Sequence, residues 1–260
     1  MRQFKSDVYG DVQMPASFEQ FIRLIQEPKG VSSRFVRMWR GQADIAWPIH
    51  SAAYRRIALT KSLPTETDVR SYEKRLLEHA THRGFRDLNG KRLSDFELLA
   101  RLQHHGAATR LVDATRNALV GLYFAAAEHP KKTGLLLGIH TDFLGGYEGE
   151  SEPRPYEDIF EGLEQFNHPQ TWEPPNVSPR VAAQHSQFLY SVVSSQKTGS
   201  LCFEESKGSY LAIAISPTMK TRAMKILSSV FDMRLLTLFP DLDGFGTANS
   251  SGSSHWNSRW

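Results

Sequence analysis

At 260 residues, 40% hydrophobic and 23% charged, the chain has enough apolar mass for a core and too little bias for a disordered or fibrous protein. Its single cysteine, Cys202, excludes an internal disulfide framework and any multi-cysteine zinc site. The net charge of +3 is unevenly spread: residues 1–132 carry 22 Lys and Arg against 14 Asp and Glu, and residues 133–260 carry 9 against 14. The first half therefore suits an anionic partner (RNA, DNA or a phosphate-bearing cofactor) or is a solvated basic surface.

The opening MRQFKSDVYG is too polar for a signal peptide. The longest apolar runs, such as ALVGLYFAAA (118–127), are too short to span a bilayer. A cytoplasmic protein with no membrane partner is expected.

Ser17 with Gln20 opens a capped amphipathic helix, SFEQFIRLIQE. RFVRMW (34–39) alternates apolar and basic residues as a half-buried strand does, and Arg40-Gly41 ends it. Residues 65–84 form a long helix with acids first, bases later and Gly84 at its stop. Residues 94–106 form another, with Ser94 and Glu97 as a capping box. A short strand, 109–115, leads into an apolar helix, 117–129, and a core strand, 134–140. Residues 145–176 are acidic and proline-rich. They read as an insertion with one short helix at 157–166, either a lid or a surface excursion. Strands follow at 187–193 and 208–216, then a helix from Pro217 to about 228. A last strand is expected over 233–244, stopped by Pro240. The Ser/Gly-rich tail 245–260 is expected to be flexible, with two tryptophans that dock back or bind a partner.

No repeat or linker divides the chain. The order predicts one α+β domain, residues 1–244, with a helical N-terminal part packed on a mixed β core.

Four clusters carry chemistry. Arg40-Gly41-Gln42 lets a flat ligand approach the backbone while the guanidinium binds an anion, or else buries an arginine against an acid such as Asp113. In Gln103-His104-His105-Gly106 followed by Thr109, Arg110, Asp113 and Thr115, the adjacent histidines point about 100° apart on a helix, so one at most faces a site. They lack a third ligand at metal spacing, and His79 with His82 fits an exposed helix face better than a metal; no metal is expected. Arg180, Gln184, His185 and Gln187 precede a strand, where Gln184 suits a ribose hydroxyl or caps a loop. Asp241 and Asp243 before Gly244 lack the other ligands of a calcium loop and read as a turn. No P-loop, G-x-G-x-x-G, H-E-x-x-H or G-x-S-x-G occurs.

Together, Trp39-Arg40-Gly41, QHHGAATRLVDATRNALVGLYFA (103–125), Arg180 and Gln184 in RVAAQHSQF, and TLFPDLDG (237–244) resemble the FRG domain family, a bacterial and phage-associated group named for Phe-Arg-Gly. Trp39 replaces the Phe, and Ala114 stands where that family often has Trp. The order of parts is also similar to the ADP-ribosyltransferase fold: a strand ending in Arg, a small hydroxyl motif before an apolar helix, and a later strand beginning with Glu or Gln.

The second resemblance implies a transferase using NAD as substrate, of the toxin or anti-phage type, acting on RNA or DNA and neutralised by an antitoxin protein. Arg40 would hold a phosphate or the nicotinamide ribose, Thr115 would shape the nicotinamide pocket, Gln184 would hold the 2′-hydroxyl and Asp113 would supply negative charge. Gly41, Gln42, His105, Thr109, Arg110 and Arg180 would complete the binding set. Two other classes stay open: a metal-independent nuclease using His105, Asp113, Arg110 and Arg180, and a non-catalytic nucleotide sensor of a defence or toxin–antitoxin system.

Overall fold

The apolar run Gly134–His140 is buried at all seven positions, as a strand covered on both faces must be. It is an interior strand of the sheet in the computed structural model, which describes residues 2–26, 36–140, 145–147, 152–175, 179–204 and 208–252. In chain order the first elements are β1 (Arg2–Ser6), β2 (Gly10–Met14), α1 (Phe18–Gln26), β3 (Val36–Gln42), α2 (Ala52–Ala58), α3 (Glu66–His82), β4 (Asp87–Leu88), β5 (Lys91–Arg92), α4 (Asp95–His104), β6 (Val112–Thr115) and α5 (Ala118–Ala126). Then come β7 (Gly134–His140), β8 (Gly145–Tyr147), α6 (Tyr156–Glu161) with a 3-10 turn (Gly162–Gln165), β9 (Gln170–Trp172), α7 (Pro179–Ala183), β10 (Ser186–Tyr190), β11 (Tyr210–Ile215), α8 (Pro217–Val230), α9 (Leu235–Leu238) and α10 (Leu242–Ala248).

Among the described residues, nine strands form one mixed sheet in the order β1-β2-β11-β7-β3-β6-β10-β9-β8. β11–β2 and β8–β9 pair parallel and the rest antiparallel. Alternation along β7 sends Leu135, Leu137 and Ile139 to one face and Leu136 to the other. Leu136 meets a core built from Phe21 and Leu24 of α1, Val120 and Leu122 of α5, and Met219 and Leu227 of α8. The opposite face packs Met38, Ile45, Ile49 and Val112. A third core lies under α3, α4 and α6, around Leu77, Phe96, Leu99, Phe160 and Trp172.

The α+β expectation holds, and most elements fall within a few residues of their predicted places. The differences have local causes. β3 runs through Arg40 and Gly41 to Gln42 rather than ending before them, because β7 pairs with it as far as Gln42–Leu135. Its predicted first residues, 34 and 35, lie outside the described residues. The N-terminus opens with the β1–β2 hairpin at one sheet edge. α2, capped by Ser51, was also not foreseen.

The strand expected over 233–244 is instead two short helices. Thr237 Oγ1 accepts from the Arg234 amide at 2.8 Å, and the Asp241 carboxylate accepts from the Gly244 amide at 2.9 Å. Side chains that cap amides in this way commit an apolar run to helical turns. α10 also extends into the tail expected to be flexible, whereas Trp256 and Trp260 lie outside the described residues. In the 145–176 stretch, α6 and its 3-10 turn match the expected short helix. β9 joins β10, so part of that stretch extends the sheet.

Candidate functional site

β3 and β6 share one register pair, Trp39–Thr115. A continued ladder would set Gly41 opposite Asp113. Instead the Asp113 carbonyl accepts from Arg40 Nη1 at 2.6 Å. Gly41 is turned to helix α5, where a Cβ would lie 2.0 Å from the Gly121 carbonyl oxygen. Strand and helix thus touch backbone to backbone, and this contact requires glycine.

Where the two strands part lies a cavity of about 340 Å³, within the range of small-ligand pockets. Trp39, Phe124, Phe188 and Phe239 give it aromatic walls. Arg40, Gln103, His104, Asp113, Thr115, Arg180 and Gln184 give it polar groups. They arrive on four stretches of chain, Arg40 on β3. α4, capped at Ser94 by both bonds of its capping box, brings Ala100, Gln103 and His104 on one helical face. β6 brings Asp113 and Thr115, α7 brings Arg180, and the turn just after α7 brings Gln184.

The polar groups hold one another in place. Gln103 Nε2 donates to Asp113 Oδ1 at 2.8 Å, while the Thr109 hydroxyl donates to Gln103 Oε1, which fixes the amide's orientation. Thr115 Oγ1 donates to the Gln184 carbonyl at 2.7 Å, tying β6 to the end of α7. Arg180 makes two bonds to Asp241, at 2.8 and 2.7 Å. The hydrogen bond from Arg180 holds the Asp241 carboxyl below its ordinary range. His104 lies 4.0 Å from Asp241. Burial, then the nearby Arg180 charge, pulls its imidazole below the usual histidine value, so it is neutral at neutral pH. Burial also pulls the Arg40 guanidinium down, against the pull of Asp113. Its Nε is buried with no acceptor among the described residues.

Of the ten residues singled out from sequence, Arg40, Gly41, Asp113, Thr115, Arg180 and Gln184 line the cavity. Four lie elsewhere. Gln42 is buried and donates to the Trp47 carbonyl at 3.0 Å. His105 is the exposed residue after α4, and His104 occupies the wall instead. Thr109 stands behind Gln103.

Arg110 is buried in a separate network. It bonds Glu73 at 2.6 Å, Glu66 at 2.9 Å and the Tyr156 hydroxyl at 2.7 Å, with its guanidinium over Phe160. Gln103, His104 and the phenylalanine walls were not among the ten. The spacing of Ala100, Gln103 and His104 (i, i+3, i+4) was the available signal for that face.

Among the described residues, no three His, Cys, Asp or Glu side chains are grouped to hold a metal ion. No helix there is long and apolar enough to cross a membrane. Residues 36–134 match the family model described as the FRG domain. No curated protein and no solved structure matches the chain.

Proposed function

From a chain that carries an FRG domain over residues 36–134, we propose an ADP-ribosyltransferase-like enzyme that binds NAD in the cleft between β3 and β6, acting as a toxin or anti-phage effector. The observation that carries this reading is the convergence of Arg40, the Asp113–Thr115 strand and Gln184, three stretches distant in sequence, on one aromatic-walled cavity. The aromatic rings suit a planar nicotinamide. The Arg40 guanidinium, on the cavity wall and steadied by the Asp113 carbonyl, suits a phosphate or ribose oxygen. Asp113 has one oxygen fixed by Gln103 and supplies negative charge beside the reacting carbon.

In such a transfer the nicotinamide–ribose bond breaks with its electron pair leaving on nicotinamide. A target nucleophile bonds to the ribose carbon, and its proton passes to a base. NAD labelled in its adenylate half, incubated with protein and cell extract, is expected to label a protein or nucleic-acid fraction and release nicotinamide. Arg40→Ala and Asp113→Asn are expected to abolish both. Wild-type protein that gives neither label transfer nor nicotinamide release in any fraction would overturn the reading.

One observation favours a second reading. His104, neutral and beside Arg180, has the parts of a metal-free phosphodiester cleavage site. RNA left intact after prolonged incubation would remove it. A nucleotide sensor, by contrast, would show NAD-induced thermal stabilisation without turnover.

A further inference from the structure

The corner between α9 and α10 enters the cleft and occupies its donors. Gln184 Nε2 donates to the Leu238 carbonyl at 2.9 Å. The Phe239 ring lies beneath the Arg180 guanidinium, 4.8 Å from its carbon, and stands at 81° to the Phe124 ring. The Asp241 carboxylate fills the Arg180 fork with two bonds. Within four residues the corner therefore presents a carbonyl acceptor, a flat ring and an anion.

We propose that the Arg180 fork is the phosphate subsite of the cleft, built for a diphosphate-bearing ligand, and that Asp241 is its resident occupant, which the ligand must displace. The proposal deepens the NAD reading and rests on it for the ligand's class. Arginine forks match carboxylate and phosphate alike, because both present paired oxygens. A diphosphate brings more charge to the fork than one carboxylate.

Beyond those contacts the corner is flanked by short elements. α9 has four residues and α10 has seven. α10 leaves Leu242 83% and Phe245 59% exposed, so these side chains do not anchor it to a core. Leu238, 3% exposed, and Phe239, packed on the same core, are the anchors about which the Asp241 carboxylate would swing away. A site that is competent only when its own carboxylate has left binds more weakly, by the fraction of time it is open.

The test compares ADP and inorganic pyrophosphate binding by calorimetry in wild-type protein and Asp241→Asn, at fixed pH and low salt. Asparagine caps a helix as well as aspartate does, so the bond from the Gly244 amide is kept while the charge goes. D241N is expected to bind ADP about tenfold tighter or more. The gain is expected to vanish in the double variant with Arg180→Gln.

Equal or weaker ADP binding in a D241N protein with unchanged circular dichroism and unfolding midpoint overturns the proposal. So does a gain that survives R180Q. If D241N does not fold, Asp241→Ser, which keeps a capping oxygen, is measured in its place against the same outcomes. A short single-stranded RNA is the third probe: tightening for RNA but not for ADP or pyrophosphate refutes the diphosphate assignment.

The two proposals separate cleanly. ADP tightening without NAD turnover keeps the subsite and removes the transferase. NAD turnover with ADP affinity and KM unchanged in D241N does the reverse.

Discussion

Arg40 meets Asp113 through the main-chain carbonyl, Nη1 to O at 2.6 Å, while the Asp113 carboxylate takes its bond from Gln103. The arginine is thus a crosslink between two strands that have stopped pairing with each other. Arg40→Met removes this bond, and because the carbonyl is exposed to water the expected cost is about 0.5–1.5 kcal/mol, the usual net worth of one hydrogen bond. Arg40→Lys should recover part of this, since one ammonium donor can still reach one acceptor. Urea unfolding of the three proteins measures it. A methionine variant as stable as wild type would show that the crosslink carries no weight.

Arg110 and Glu73 are both buried; without Arg110 the Glu73 charge is uncompensated, and without Glu73 the guanidinium keeps Glu66 alone as its carboxylate partner. Glu66 and Tyr156 complete their bonding. Arg110→Met and Glu73→Gln are each expected to lose about 3–5 kcal/mol of stability. Removing both charges together should cost less than the sum of the two single changes. Additive losses would contradict a closed network.

Gly41→Ala places a methyl 2.0 Å from the Gly121 oxygen and 2.6 Å from the Ala125 amide nitrogen, both backbone atoms. Neither can turn aside as a side chain would. Strand and helix must separate, and a loss of about 1–3 kcal/mol or more is expected, read as a lower melting temperature. As a control, alanine at Gly162, which is helical and has open space around it, should be neutral or mildly stabilising.

Stability should fall with acid in two steps. His50 and His104 are both held below the ordinary histidine value, first by burial. His50 Nδ1 also accepts from the Ser200 amide at 3.0 Å, a bond that protonation would break. The unfolded chain therefore takes up these protons first, and stability drops as pH falls below about 6.5 towards the folded values.

The carboxylates give the second step. Glu66 is pushed up by burial but carried below its usual value by Arg110 and Arg70, and Asp68 is held at about 2 by Lys61 and Thr65. Their contribution is complete above the unfolded carboxylate range and lost as pH falls through the folded values. Chemical unfolding at pH 8, 5.5 and 3 follows both steps. His50→Gln with His104→Gln should flatten the first and leave the second.

The regular parts of the molecule were legible because their signals are local. The Ser94–Glu97 box, the acidic start of α3 and the uninterrupted apolar run of β7 each announce an element without reference to the rest. The β1–β2 hairpin does not, since RQFKS and GDVQM are largely polar and are held by edge pairing. The α9–α10 segment has the apolar density of a strand, and only its capping side chains decide otherwise.

The site divides in the same way. Arg40, Asp113 and Thr115 lie on strands whose ends were visible in sequence. Arg110, in the bend before β6, turns away from the cleft and is buried against Glu73 instead. That Arg180 and Gln184 would complete the cleft, and that Asp241 would already be seated on one of them, depends on contacts across 54 to 69 positions that no local pattern encodes.

β7 begins at Gly134, the last residue of the family match. A fragment cut to the matched stretch would keep β3 and β6 but strip them of β7 and β10, the neighbours from which they take almost all of their pairing. It would expose two sticky edges and could not stand as an independent folding unit. The matched stretch is one jaw of a vice. The other jaw, Arg180, Gln184 and Phe239, is cut from the remainder of the chain. The cavity wall is therefore shared between the matched stretch and the chain beyond it, joined where Thr115 Oγ1 donates to the Gln184 carbonyl.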